Sequence, residues 1–294
     1  MRKQLVATVE NILGQDSKSV LLLGDIGVFG FRNAFRQYPS RVYNIGILEQ
    51  TTVSVAAGLA MEGFVPIVHT IAPFLIERAF EQIKVDFGYQ RLGGTFISVG
   101  ASYDYSALGC THHCPGDVAI LMNIPGMQIV VPGCAQELDV LLTDSHQSGL
   151  PTYFRMSERP HRIATTAVFG SASVIKQGSL ATIVVVGPLL GTALEAFAGM
   201  DVTILYYTTV CPFDGQTLRS HCPSGNVIVV EPFYEGTLAH SVQNSLSGQA
   251  VRVLSLGVPR RFLTAYGQPS DHDADCGLDA ESLRVRVERF LEHT

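Results

Sequence analysis

The chain has 294 residues, a net charge of −6 and only 16% charged residues, against roughly 25% in ordinary soluble domains. A hydrophobic fraction of 47% excludes a disordered chain and fits a large buried core. The 20 Lys and Arg residues are scattered, so neither nucleic acid nor an anionic membrane surface is an expected partner.

No uninterrupted apolar run of about 20 residues offers a membrane span. The start, Met1-Arg2-Lys3-Gln4-Leu5, lacks the long apolar stretch of a secretory signal. Cys110, Cys114, Cys134, Cys211, Cys222 and Cys276 are irregularly spaced, which fits reduced thiols in a cytoplasmic protein better than a disulfide framework.

Taken in chain order, strand and helix patterns alternate, and the expected class is α/β with largely parallel sheets. Leu5, Val6, Val9, Ile12 and Leu13 predict a helix over 5–13 that Gly14 stops. Strands are expected at 19–23, 41–45, 65–69, 95–99, 128–131 and 152–156. Helices are expected at 49–61, 74–89, 117–123 and 135–147, and 100–115 reads as a long glycine- and histidine-bearing loop. The rhythm breaks after Met156, and Arg159-Pro160-His161-Arg162 reads as a linker. The expected organisation is one open α/β domain over 1–158, a linker over 159–168 and a second α/β domain over 169–294. In the second, strands are expected at 181–187, 202–207, 226–230 and 251–257, and helices at 191–198, 237–246 and 280–292.

In open α/β sheets chemistry gathers at the carboxyl ends of the strands. That rule brings Asp25, the turn at 46–50, the turn at 69–74 and the 100–115 loop to one rim. Glu49 sits where a strand turns into a helix. The helix N-terminus favours its charge and the apolar neighbours favour its neutral form, so the carboxyl can share a proton with a ligand nitrogen. A plain first-turn helix glutamate is the structural alternative. Cys110-Thr111-His112-His113-Cys114 suggests zinc, but adjacent histidines cannot easily face one ion and no second ligand pair lies at a fitting distance. No metal ligand is therefore expected in the chain. His112 as a proton shuttle is the functional reading, and a hydrogen-bonded loop histidine is the structural one. Phe74, at a helix mouth, either stacks on a heterocycle or belongs to the core. Asp25 either caps the next segment or faces a ligand, and His69 points to the same rim. No phosphate-binding glycine fingerprint follows any expected strand.

In order, Gly24-Asp25, Ile47-Leu48-Glu49-Gln50, Pro73-Phe74 before Arg78-Ala79-Phe80-Glu81-Gln82-Ile83, Thr111-His112-His113 and Ile124-Pro125-Gly126-Met127 resemble the second half of a transketolase. The resemblance covers 5–156 strongly and extends more weakly through 181–187, 225–231 and Gly257-Val258-Pro259-Arg260-Arg261-Phe262. It implies a pyrimidine-binding domain followed by a transketolase C-terminal domain, with thiamine diphosphate as cofactor. Glu49 would hydrogen-bond the aminopyrimidine and drive its imino tautomer. Phe74, or Leu75 if the alignment slips by one residue, would stack on that ring, with Asp25 and Leu48 beside it. His112 would contact the substrate or move its protons, with His113, His69, Leu108 and Arg159 as further substrate-side residues. The implied reaction passes a two-carbon ketol unit from a ketose to an aldehyde.

The family's diphosphate-binding domain precedes this region in full-length enzymes. The resemblance therefore implies the C-terminal subunit of a split transketolase, with Mg²⁺ and the diphosphate site on an N-terminal partner subunit in an α₂β₂ assembly. Sugar-phosphate transketolases carry an Asp where Leu108 stands and a phosphate-binding His where Gly100 stands. Their phosphate-binding Arg falls at Glu158, unless a one-residue shift brings in Arg159. Loss of these charge-assisted partners implies a non-standard sugar substrate. The competing readings are a 2-oxo-acid dehydrogenase E1 β-type subunit, a deoxyxylulose-phosphate-synthase-like chain and a non-catalytic partner subunit.

Overall fold

Segments that are apolar throughout form strands buried on both faces, as sheets covered by helices on either side require. The computed structural model describes residues 1–292. The elements α1 (Arg2–Gln15), β1 (Ser19–Leu23), α2 (Arg32–Gln37), β2 (Val42–Asn44), α3 (Glu49–Met61) and β3 (Val65–Ile71) come first. A helical stretch follows, made of a π-helix (Pro73–Arg78), the single turn α4 (Phe80–Gln82) and a second π-helix (Ile83–Tyr89). β4 (Gly94–Val99), α5 (Asp117–Leu121), β5 (Gln128–Val130), α6 (Ala135–Ser145) and β6 (Pro151–Arg155) complete the first half. The second half holds β7 (Ser173–Lys176), β8 (Ala181–Val186), α7 (Leu190–Ala196), β9 (Val202–Tyr207), β10 (Thr209–Cys211), α8 (Gly215–Ser220), β11 (Asn226–Tyr234), α9 (Ala239–Ser245), β12 (Arg252–Val258), α10 (Pro269–Cys276) and α11 (Ala280–Glu292).

Two sheets result, with orders β10-β5-β6-β4-β3-β1-β2 and β12-β11-β8-β9-β7. Every pairing is parallel except β10 with β5 and β7 with β9. Helices cover both faces. Val53, Ala56 and Ala57 of α3 pack on one face of the first sheet, while Leu5, Val9, Ile12 and Leu13 of α1 pack with Leu138 and Leu142 of α6 on the other. The core under α3 continues without a break into Val184, Val186, Leu205, Tyr207 and Phe233 of the second half. The α/β class with largely parallel sheets is thus the observed fold. Among the described residues no helix is long and apolar enough to cross a membrane.

Several local expectations are corrected. Gly14 does not end α1, which runs to Gln15. The Tyr38 hydroxyl lies 3.1 Å from where a Cβ on Gly14 would stand, so the glycine there serves close packing. The chain turns at Asp16 instead, whose carboxylate accepts from the Lys18 N–H and the Ser19 hydroxyl. The segment expected as one helix over 74–89 begins at Pro73 and is largely π-helical. The wider turns let Leu75, Ile76, Ala79, Ile83 and Phe87 all reach the core. α10 lacks apolar periodicity and escapes a pattern-based reading. It is specified by its ends: a capping box between Gln268 and Asp271, Pro269 in the first turn and left-handed Gly277 at the close. β10, three residues long, belongs by sequence to the second half but pairs with the first sheet.

One buried ion pair fixes the long loop after β4. The Arg155 Nε donates to Asp117 Oδ2 at 2.8 Å, and the side chains are 1% and 0% exposed. Asp117 Oδ2 also accepts from the Tyr153 hydroxyl at 2.8 Å. The Arg155 Nη2 donates to the Ser102 hydroxyl at 2.8 Å and to the Cys114 carbonyl at 3.3 Å. The guanidinium thus holds both ends of the loop against α5 and β6. Arg155→Met would leave Asp117 as a buried, uncompensated charge. The expected loss is about 3–5 kcal/mol, read as a lower urea midpoint at unchanged slope.

Candidate active site

β2, β1, β3 and β4 are neighbours and parallel, so their carboxyl ends open on one rim. At the end of β2, Asn44 ties two of the reversals together. Its Oδ1 accepts from the Asp25 N–H at 2.9 Å and from the Gly46 N–H at 3.1 Å. Asp25 adopts a left-handed conformation with φ of 67°, and Gly46 turns the chain with φ of 86°. No side chain caps α3, whose preceding residue is Leu48. The carboxyl of Glu49, in the first turn, therefore sits beside uncapped backbone donors. It is 2% exposed.

Across from it, β3 ends at Ile71, and Pro73 opens the π-helix. π-turns recur at functional positions because they re-aim side chains. Here the turn places Arg78 over Phe74, with the guanidinium 4.3 Å from the ring centroid. The Arg78 Nη1 also donates to Glu49 Oε2 at 2.7 Å. Phe74 is half-buried, while Leu75 is fully buried in the core. Of the two positions left open by sequence, Phe74 is therefore the one that presents a ring to the rim. His112, from the loop, meets Phe74 edge-on with centroids 5.3 Å apart. Its Nδ1 lies 3.0 Å from the Thr111 hydroxyl, and Tyr105 flanks it at 6.5 Å. Glu49, Arg78, Phe74 and His112 thus form one continuous chain of contacts. Phe29, Ile47 and Leu48, all well exposed, add apolar surface at or beside the same turns.

The other expected site residues lie apart from this chain. His69 is on the correct strand end but is 3% exposed. Its Nδ1 lies 2.9 Å from the Ile97 carbonyl, which can only accept, so the hydrogen is on Nδ1. Its ring lies under Gly27 and meets Phe31 edge-on. His113 turns away from His112 and meets His272 of α10 edge-on at 5.3 Å. Neither of its ring nitrogens has a hydrogen-bond partner, and burial, with His272 and His112 nearby, pushes its imidazole below the usual histidine range. Leu108 is exposed on the loop. Arg159 is held at the junction with the second half. It pairs with Asp273 at 2.5 Å and with Asp104 at 3.6 Å, and lies over the Tyr103 ring. Glu158 pairs with Arg2 at 2.7 Å.

The Cys-Thr-His-His-Cys stretch does not gather. Cys110 is exposed, while Cys114 is buried, with its thiol bonded to Glu77. The one group of three candidate ligand side chains found among the described residues is Cys134, Glu137 and His161. Its hydrogen bonds are already matched. The Ile163 N–H donates to His161 Nδ1, which leaves the His161 Nε2–H facing the Tyr206 hydroxyl and Glu137. Glu137 also accepts from the Gly133 and Cys134 N–H groups and from Tyr206. The group therefore reads as a helix cap that clamps the two halves.

Asn44 and Arg78 join the site only in the folded chain. Spacing from Phe74 puts Arg78 near the same face, but its ion pair with Glu49, 29 residues away in sequence, is what marks it, and no local pattern shows that pair.

Residues 2–162 match the family described as "Transketolase, pyrimidine binding domain". The chain belongs to the transketolase family. It is 41% identical over 288 residues to an uncharacterised 33.6 kDa protein of the fasciation locus of Rhodococcoides fascians, covering 97% of this chain and 92% of that one. It is 30% identical over 311 residues to one of the subunits of the apulose-4-phosphate transketolase of Phocaeicola vulgatus, with 99% and 97% covered. Identity to the 1-deoxy-D-xylulose-5-phosphate synthase of Syntrophotalea carbinolica is 32% over 281 residues, but the chain spans only 44% of that relative. A solved split-gene transketolase, described as an inactive β4 tetramer, superposes with a TM-score of 0.87 at 25% identity, covering 99% of this chain and 97% of that one. In extent and fold the chain therefore corresponds to the C-terminal subunit of a split transketolase. Its family performs thiamine-diphosphate-dependent group transfer.

Burial pushes the His69 imidazole down to about 4, against about 6.5 when unfolded. Between these values the unfolded state binds the proton that the folded state refuses, so acid lowers stability across that window. His69→Asn keeps a donor for the Ile97 carbonyl and removes the titration. Melting temperatures measured from pH 7 to pH 4 are expected to fall less steeply in the variant than in the parent.

Proposed function

We propose that the chain is the pyrimidine-side subunit of a split transketolase. It would transfer a two-carbon ketol unit from a ketose to an aldehyde, and it would act only with a partner subunit that supplies the diphosphate site and Mg²⁺, in an α₂β₂ assembly. In this reading residues 1–158 form the pyrimidine-binding domain, 159–168 the linker and 169–294 the C-terminal domain, and the complex works in the cytoplasm. The observation that carries the reading is the Glu49 carboxyl, 2% exposed at the start of α3, reached from the Phe74 ring through a single side chain. That donor set fits an aminopyrimidine: a buried carboxyl for a ring nitrogen, a half-open aromatic for the ring face, and the apolar Leu48 beside them.

Thiamine diphosphate, when bound, supplies the carbanion chemistry and the electron sink for carbon–carbon cleavage. The chain's own residues supply placement and proton movement. Glu49 holds a proton against the pyrimidine nitrogen. Phe74 fixes the ring, and Asp25 with Leu48 borders it. The His112 imidazole moves protons at the substrate oxygens. His69, His113, Leu108 and Arg159 belong to the substrate side in this reading. His69 and His113 act there from beneath the surface, through the loops they support.

The substrate is a non-standard sugar rather than an ordinary pentose phosphate. Leu108 and Gly100 offer no charge, Glu158 is bound to Arg2, and Arg159 is engaged by Asp273 and Asp104. A sugar phosphate would therefore have to break existing ion pairs to be recognised.

Calorimetric titration with thiamine diphosphate and Mg²⁺ tests the reading, run on the chain alone and on the chain co-purified with an N-terminal transketolase-type subunit. Binding is expected only in the complex, and tight binding to the chain alone overturns the division of labour. In that complex Glu49→Gln is expected to lower kcat by about 10²-fold or more. An unchanged kcat would point to a non-catalytic subunit. Turnover of 2-oxo acids in place of ketoses would favour the E1 β-type reading, and rapid turnover of xylulose 5-phosphate would overturn the substrate assignment.

A further inference from the structure

We propose that Arg78 is a displaceable occupant of the pyrimidine slot: it holds Glu49 and covers Phe74 in the empty site, and leaves both when the cofactor's pyrimidine arrives. The proposal rests on the function proposed above and adds a control step to the same site.

One guanidinium makes both contacts. Its Nη1 donates to Glu49 Oε2 at 2.7 Å, and its carbon lies 4.3 Å from the Phe74 centroid. Those are the two groups assigned to the pyrimidine, one for its edge and one for its face. A guanidinium is planar, carries N–H donors along its edge and stacks on aromatic rings. It therefore resembles an aminopyrimidine in its flat shape, and its N–H edge meets the carboxylate as a protonated ring nitrogen would.

The physical need for an occupant follows from burial. The Glu49 side chain is 2% exposed, and a carboxylate that far from water requires a charged or hydrogen-bonding partner. Arg78 is 41% exposed, so its own way out to water is open. The two occupants exclude each other on charge as well as space. Sharing the Glu49 proton with a ring nitrogen places positive charge on that nitrogen, and a guanidinium left at the same carboxyl would repel it.

The π-helix makes the exchange local. Phe74 and Arg78 lie towards opposite ends of that single element, Pro73–Arg78, and its Leu75 and Ile76 are anchored in the core. Movement of the Arg78 side chain thus need not disturb the packing beneath.

The test compares parent, Arg78→Met and Arg78→Lys in the two-subunit complex. Thiamine diphosphate affinity is read by calorimetry at fixed Mg²⁺, and melting temperature is read without cofactor. Arg78→Met keeps the stem and removes the fork. It is expected to bind cofactor about fivefold tighter or more and to melt lower when empty, because Glu49 loses its partner. Arg78→Lys, which can pair with Glu49 but cannot stack as a plane, is expected to fall between the two. Added guanidinium ion at millimolar concentration is expected to weaken cofactor binding in Arg78→Met and to leave the parent unchanged. Weaker or unchanged binding in Arg78→Met, with Arg78→Lys following it, overturns the proposal and makes Arg78 part of the loaded site. Failure of the parent complex to bind thiamine diphosphate at all overturns the functional reading itself, and this proposal with it.

Discussion

The candidate site depends on a charge pair that never meets water. Arg155 on β6 and Asp117 at the start of α5 neutralise each other in the interior. Their remaining hydrogen-bonding capacity goes to Tyr153, Ser102 and the Cys114 carbonyl. Those partners bracket the loop that carries His112. That loop has only two single 3-10 turns, Ser106–Leu108 and Cys110–His112, of its own, so its course depends on what holds its ends. His112 is therefore positioned by a buried electrostatic frame rather than by strand geometry alone. An apolar replacement of similar volume can match the stability of such a pair, but it could not fix both ends of the loop by directed bonds.

A second level of organisation sits at the rim. Asn44 binds the Asp25 and Gly46 backbones with one oxygen, which couples the ends of β1 and β2. On the other side of Glu49, the π-helix sets the spacing between Phe74 and Arg78. Both devices are small polar or geometric departures from regular structure, placed where a flat apolar surface would otherwise lie. The same surface carries Phe29, Ile47 and Leu48, apolar groups of the kind that subunit interfaces and heterocyclic ligands bury.

Much of this was legible in the residues. The largely apolar runs of β1, β8 and β9 announce buried parallel strands, and the small residues of α3 announce close packing on a sheet. Glu49 stands out as a charge after the apolar segment 45–48, and His112 as a histidine in a glycine-bearing loop; Phe74 continues an apolar run and is marked out by the family resemblance rather than by pattern. Arg78 was not legible, since its partner Glu49 is distant in sequence and the two meet only because β1 lies between β2 and β3. Arg159 looked like a candidate anion binder because Asp273 is more than a hundred residues away. His113 was paired with His112 by adjacency, yet an extended backbone at His113 sends the two rings apart. In each case the deciding contact is a long-range pairing that local spacing does not show.

The short strand β10 has a consequence for how the chain becomes a protein. Without Thr209–Cys211, β5 would be the bare margin of the first sheet, with a row of unsatisfied backbone donors and acceptors. Such margins recruit other chains. The residues that shield it are made last among the strands of that sheet, well after β6 and with three strands of the second half in between. The first half therefore emerges with an adhesive flank that only the second half can cover. That flank stays open during synthesis until β10 is made, so the second half is needed to finish the first half's sheet as well as its own.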